Sequence, residues 1–470
     1  MNLRTNLFEW QAPAVEKLLP TRVGGLFMDM GTGKTRAAIE LLARRQGRYD
    51  HVVWFCPVSL KETTRFELLK HTDLTESAIC VFDDRTTQHN LPAAQVYIVG
   101  LESLGQSDRV TLAANALITD TGYVVVDESS YIKGHIAKRT QRVTAMAARA
   151  RYRLILTGTP LSQGVIDLFA QMRFLSPAIL GYHSFYSFAA NHLEYSDKYP
   201  GKIVRAHNTA HLAAKIQPYV YQVTKGECLT LPAKLYDVGY YRLTEEQEAA
   251  YWQAKEEFLP LVEDNPFLAS YAIFQLFTAL QEIVSGFWNR KNGLTEYPHH
   301  RLELLADRLA AMPEEAKVII WAHFQHSVSQ IVALLTAHYG AEAVAQLHGG
   351  LGEHERTAEI TRWRSGPARF LVATQAVGGH GLTLTEAHHA VFYENGFKYA
   401  ERVQAEDRIH RIGQAQPCTY VDLVAVKTID ARIQKALSDK ADVVAAFRRQ
   451  VHQVRDRGDS KALKALVMEL

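Results

Sequence analysis

The sequence predicts an α/β protein with two parallel sheets in tandem, each covered by helices. Three observations carry that expectation. Short unbroken apolar runs alternate with helix-period patterns through the first third of the chain. The same alternation returns after residue 300. A stretch of helical periodicity separates the two blocks. Continuous apolar strands between helices belong to parallel sheets buried on both faces.

In the first block, residues 25–28 read as a strand running into a glycine turn, and 35–45 as the helix that follows. Residues 52–55, 96–99, 123–126 and 154–156 read as further buried strands. In the middle, Tyr251, Ala254, Phe258 and Val262 recur at helical spacing, as do Tyr271, Phe274, Leu280, Ile283 and Phe287. Both sets read as core faces of inserted helices. The segment 195–205, with Pro200-Gly201, reads as an exposed loop or hairpin. In the second block, 318–321, 344–347, 370–373 and 390–393 are the strands. From Ala436 the pattern is helical and modestly basic, as on a solvated face. The expected segments are therefore a first lobe over 1–175, helical insertions and a linker over 176–300, a second lobe over 301–435, and a helical tail over 436–470.

Composition narrows the function classes. Of 470 residues, 47% are hydrophobic and 22% charged, which excludes a largely disordered, collagen-like or disulfide-framework chain. No run approaches the ~18 apolar residues of a membrane span. The opening MNLRTNLFEW has no apolar signal core, so a cytoplasmic protein without membrane contact is expected. The 52 Lys and Arg barely exceed the 50 Asp and Glu. Binding nucleic acid by bulk charge is thus excluded, though a local basic groove is not. The four cysteines are scattered without a CxxC pair, and the 20 histidines lack matching Cys or acid spacing, so no zinc site is expected.

The chemistry begins at Gly31-Thr32-Gly33-Lys34-Thr35, between a strand and a helix. Glycines let a loop curl its N–H groups toward phosphate oxygens, and the helix N-terminus adds partial positive charge. Met30 through Thr35 would hold a nucleotide's phosphates, with Lys34 reaching the β- and γ-phosphates and Thr35 offering its hydroxyl to Mg²⁺. The first glycine of the general pattern is missing, because Met28 stands there. Asp127-Glu128 closes an apolar strand, which places both carboxylates at the sheet edge beside this loop. Asp127 would hold Mg²⁺ and Glu128 would orient and deprotonate the attacking water. Alone, such a pair is no more than a solvated strand end. Thr157 and Thr159, after a third strand, are placed to sense the γ-phosphate and couple its loss to a neighbouring domain; a simple turn explains them equally well in isolation.

Arg408 and Arg411, three apart in Gln404-Ala405-Glu406-Asp407-Arg408-Ile409-His410-Arg411-Ile412-Gly413-Gln414, would share one face of a helix. Two aligned guanidinium groups neutralise charge on a transferring phosphoryl group. Ion pairs with Glu406 or Asp407 are the structural alternative.

These motifs, with Gly378-Gly379-His380-Gly381-Leu382-Thr383-Leu384 and Leu156-Thr157-Gly158-Thr159-Pro160-Leu161, stand in an order that resembles the superfamily 2 helicase-like ATPases of the Swi/Snf type. With no chromatin-reading appendage apparent, a compact bacterial or phage form fits best. The resemblance implies two RecA-like lobes that clamp ATP and Mg²⁺. It implies that Gln11 reads adenine with Phe8 or Trp10 nearby, that Gly379 and Gly381 flank the nucleotide, and that Gln404 joins Thr157 and Thr159 in coupling. Its DNA-facing motifs correspond to Ser59, Lys61, Ser103, His348 and Thr374. The implied function is a monomeric motor that hydrolyses ATP to track on double-stranded DNA. A strand-unwinding or fork-remodelling helicase is one alternative, and a nucleotide-gated DNA-binding scaffold with little turnover is another. Ser130, Gly134, Thr383 and Phe397-Lys398-Tyr399 depart from the usual family residues without touching the hydrolytic groups.

Overall fold

The computed structural model describes every residue except 162–163, 197–202, 265–268, 379–381, 441–442 and 457–459. The chain divides into two compact units, Met1–Thr230 and Leu231–Leu470.

The N-terminal unit contains β1 (Val23–Met28), β2 (Val52–Cys56), β3 (Ile79–Val81), β4 (Val96–Gly100), β5 (Tyr123–Asp127), β6 (Tyr152–Thr157), the short pair β7 (Leu193–Tyr195) and β8 (Ile203–Ala206), and β9 (Val220–Val223). Seven of these form a parallel sheet in the order β3-β4-β2-β5-β6-β1-β9. Successive residues of a strand face opposite sides of a sheet. Phe55, Val99, Val124 and Val126 accordingly enter one core, while Trp54, Ile98, Tyr123 and Val125 enter the other. The unbroken apolar runs thus have their physical reason, since helices cover both faces. β7 and β8 pair antiparallel, and Pro200-Gly201 lies outside the described residues.

The C-terminal unit contains β10 (Lys234–Tyr241), a hairpin of β11 (Phe287–Arg290) and β12 (Gly293–Glu296), then β13 (Val318–Ala322), β14 (Val344–Leu347), β15 (Phe370–Thr374), β16 (His389–Phe392) and β17 (Cys418–Ala425). Its parallel sheet runs β10-β17-β16-β13-β15-β14. A separate helical core gathers Tyr251, Ala254, Ile273, Leu276, Phe277, Leu280 and Ile283 with Val443, Val444, Phe447, Val451 and Val467.

The segment 176–300, expected as helical insertions and a linker between the lobes, divides between the two units: β9 completes the first sheet and β10 opens the second, with the division falling after Thr230. Two expectations are corrected. The tail from 436 is not merely a solvated face, because its apolar residues pack against the helices Glu245–Asp264 and Ala269–Val284. Tyr271 and Phe274 point outward at 62% and 47% exposure, and Phe287 belongs to β11 rather than to a helix.

Arg301 anchors the second unit. It is wholly buried, with its guanidinium on Asp430, on the Ser285 hydroxyl at 2.8 Å, and 3.9 Å from Glu394. Removing one partner of a buried ion pair strands the others. Arg301→Ala is expected to destabilise this unit by about 3–5 kcal/mol, which urea unfolding followed by tryptophan fluorescence will measure.

Candidate nucleotide site

β1 ends at Met28, whose side chain is fully buried, so the position where a glycine was absent belongs to the strand rather than the loop. The loop then curls through Gly31 and Gly33, at φ of 81° and 82°, into the helix Lys34–Arg44. L side chains rarely adopt that region. At Gly33 a Cβ would also collide with the Gln11 side-chain amide.

Gln11 is wholly buried and committed to this loop. Its Nε2 donates to the carbonyls of Thr32 and Gly33, both at 3.1 Å, and its Oε1 accepts the Phe8 amide at 2.9 Å. Both amide hydrogens of Gln11 are thus engaged by the loop that it supports. Trp10 donates its indole N–H to Thr32 O at 3.0 Å and stacks on Phe8 at 4.8 Å, so those two rings do lie beside the loop. Asp29, not anticipated from sequence, accepts the Lys225 amide at 2.9 Å.

β5 and β6 bring the acids and Thr157 to the same sheet edge. Glu128 takes φ of 53°, a left-handed conformation that costs a non-glycine residue of order 1–3 kcal/mol and persists where neighbours fix it. Its Oε1 accepts the hydroxyls of Thr157 at 3.1 Å and Ser130 at 2.9 Å. Its Oε2 lies 3.8 Å from Lys34 Nζ. Thr157 in turn accepts the Thr159 amide at 3.0 Å. Gly158 passes so close to the loop that a Cβ would meet Met30 Cγ and N at 3.2 Å. Lys34, Glu128, Thr157 and Thr159 thus converge, and Met30 is in contact with the same turn.

Asp127 is buried, with Oδ1 accepting the Glu128 amide at 2.9 Å. Burial pushes its carboxyl up to about 6; Lys34 opposes that and Glu128 adds to it. Mg²⁺–nucleotide sites use one or two carboxylates with substrate phosphates rather than a full protein cage. The hard-oxygen set of Asp127 and the Thr35 hydroxyl fits that chemistry. Among the described residues no cluster of three or more His, Cys, Asp or Glu is placed to hold a metal.

The raised value has a consequence for stability. Between about pH 4 and 6 the folded chain keeps a proton on Asp127 that the unfolded chain has lost. Unfolding free energy should therefore fall as pH rises through that window, by up to about 3 kcal/mol from this group. Comparing wild type with Asp127→Asn by urea unfolding at pH 4, 5, 6 and 7 checks this. The wild type should lose ground to the variant as pH rises.

In the second unit, Arg408 and Arg411 do not ride on a helix. The helix Tyr399–Glu406 has ended, and both arginines lie in the turns beyond it. They nevertheless meet: Arg408 Nη1 donates to Leu382 O at 3.1 Å and Arg411 Nη1 to the same carbonyl at 3.3 Å. Arg408 Nε also donates to Gln404 O at 3.0 Å. Gln414 shapes the turn by donating to the carbonyls of Ala387 at 2.8 Å and Ile409 at 3.2 Å. Glu406 does not pair with either arginine; it binds Arg402 and Lys234, both at 2.8 Å. Gly379 and Gly381 lie outside the described residues.

The five DNA-facing positions fare differently. Ser59 is exposed in the helical turn Val58–Leu60 after β2, and Ser103, half-buried, begins the short helix Ser103–Gln106 after β4; Glu102 accepts the Val58 amide at 2.9 Å. Lys61 is corrected: it is buried, with its ammonium on Phe82 O at 2.9 Å. Thr374 is buried at the end of β15. The His348 ring accepts the Gly350 amide at 3.1 Å, and burial lowers its pKa.

A glycine-shaped phosphate loop, a braced acid pair at the ends of a parallel sheet and a second α/β unit with paired arginines define a P-loop nucleotide-dependent class. The chain matches the SNF2-related domain over residues 10–290 and the helicase conserved C-terminal domain over 300–413. It belongs to the SNF2-related family. It is 26% identical over 458 residues to the mouse DNA annealing helicase and endonuclease ZRANB3, across 94% of this chain and 41% of that protein. It is 24% identical over 356 residues to the Bacillus subtilis putative ATP-dependent helicase/translocase YwqA, across 73% of this chain and 37% of that one. The chain thus spans about two fifths of the length of these curated relatives. The Sulfolobus solfataricus SWI2/SNF2 ATPase core in complex with dsDNA is similar at 24% identity and a TM-score of 0.44, covering 98% of this chain and 95% of that one. No helix among the described residues is long and apolar enough to cross a membrane.

Proposed function

We propose that this chain is an ATP-dependent motor that tracks along double-stranded DNA. The observation that carries the reading is the convergence of Lys34, Thr157 and Ser130 on the Glu128 carboxylate beside the glycine loop. Loop amides and Lys34 take the phosphates of ATP. Their arrival draws Lys34 from Glu128, which is then free to accept a proton from the attacking water. Thr35 and Asp127 hold Mg²⁺, which neutralises phosphate charge when bound. Thr157 touches Glu128 and carries the Thr159 amide, so loss of the γ-phosphate is felt in the loop after β6. Gln404 belongs to the same coupling in the second unit. Arg408 and Arg411 supply cations to the transferring phosphoryl group, an assignment that rests on the family likeness and on their shared hold on Leu382. Ser59 and Ser103 meet the DNA backbone, a contact type that grips phosphates without reading bases.

The test is ATP turnover with no DNA, duplex, single-stranded and forked DNA, beside triplex displacement. Stimulation by duplex with release of a third strand alone supports tracking. Release of single strands from the duplex favours the unwinding reading. Absence of hydrolysis under every condition defeats both and leaves a scaffold.

A further inference from the structure

We infer that Gln171 is a positioning residue for this hydrolysis: its buried amide ties the turn that aims Glu128 to the loop after β6. The inference rests on the ATPase reading and adds a residue outside the phosphate, acid and arginine motifs.

Glu128 sits in a left-handed conformation that must be held from outside. Thr157 and Ser130 hold its carboxylate, but the backbone turn is set by the residue that follows. That residue, Ser129, is wholly buried and donates its hydroxyl to Gln171 Oε1 at 2.6 Å. The Gln171 Nε2 donates to Pro160 O at 3.0 Å and to Asp167 O at 2.9 Å. One amide therefore spans the loops after β5 and β6, the two that present the base and its threonine clamp. The Thr157 hydroxyl is the upper tie between them and Gln171 the lower one.

The setting makes the residue conspicuous. In the helix Ile166–Leu175, Leu168, Phe169, Met172, Phe174 and Leu175 fill the core, and Gln171 lies among them at 0% exposure. An apolar side chain of similar volume would pack there as well. A polar group buried at such a place must have its hydrogen bonds met, and here two of the three partners, Ser129 and Pro160, lie in the loops of the site. Asp167, whose carbonyl the amide also holds, lies 3.8 Å from Lys133, so the helix start is fastened to the residues after Ser129 from a second side.

Gln171→Met keeps volume and removes the amide, and Ser129→Ala cuts the same tie from its other end. Both are expected to lower kcat for ATP by roughly 10- to 100-fold at unchanged KM, as misplacement of a reacting group does. The double variant should be no slower than Gln171→Met alone. Gln171→Glu retains an acceptor for Ser129 and should recover part of the loss. A kcat within twofold of wild type in a folded Gln171→Met or Ser129→Ala protein overturns the inference. So does a loss that falls on thermal stability alone, or additive losses in the double variant. Should Gln171→Met fail to fold, Ser129→Ala decides by the same criteria. Wild-type protein without turnover overturns the ATPase reading instead, and the positioning role with it.

Discussion

Glu128→Gln is expected to bind ATP normally and to turn it over roughly 10²–10⁴-fold more slowly. The amide keeps the shape of the carboxylate, so the Thr157 and Ser130 hydroxyls can still be met. The proton acceptor is gone, and the chemistry stalls with the nucleotide in place. The ion pair with Lys34 is gone as well, so that ammonium is free for phosphate from the start. ATP affinity should consequently be unchanged or tighter. A fluorescent-nucleotide titration and single-turnover hydrolysis, run on the same preparation, separate the two effects. Turnover near the wild-type rate would remove Glu128 from the role of base.

Arg411→Ala is expected to retain ATP binding and lose turnover by roughly 10³-fold or more, the scale of an arginine that neutralises a transferring phosphoryl group. Arg408→Ala should behave differently in one respect. Arg408 is nearly buried and bridges the carbonyls of Gln404 and Leu382, so its removal should lower the melting temperature as well as the rate. Arg411 is the more exposed of the two and should leave the melting temperature within a few degrees. Differential scanning fluorimetry beside ATPase assays checks both. Wild-type turnover in Arg411→Ala would confine the pair to shaping the loop at Leu382.

The nine strands expected from apolar runs are all present, because their residues are buried on both faces, with Gln346 of the edge strand β14 the one polar and partly exposed exception. The strands missed have a different make-up. β10 sits at a sheet edge with Leu235, Tyr236 and Tyr240 exposed, and β17 carries the buried Asp422, whose partner Arg402 comes from elsewhere in the chain. Alternation weakened by an edge, or interrupted by a paired charge, hides a strand from a search for hydrophobic runs. The phosphate loop and the acid pair were legible because their spacing is fixed by the chemistry. Lys61 looked like a surface cation, since sequence does not reveal that its ammonium reaches Phe82. Arg408 and Arg411 were close for the wrong reason: a shared carbonyl, not a helical face, brings them together. Gln171 gave no signal at all, as one glutamine in an apolar helix reads as an exposed polar position until the loops it touches are known.

The bonds from Gln11 and Trp10 to the backbone of Thr32 and Gly33 mean that the phosphate cradle is preorganised by residues that need never meet a phosphate. A cradle already ordered spends less conformational entropy when its guest arrives. Shortening the chain to begin at Ala12 would leave Lys34, Thr35 and the acids in the sequence. The guest would then have to freeze the curl itself, and affinity would fall without the loss of any group in contact with it.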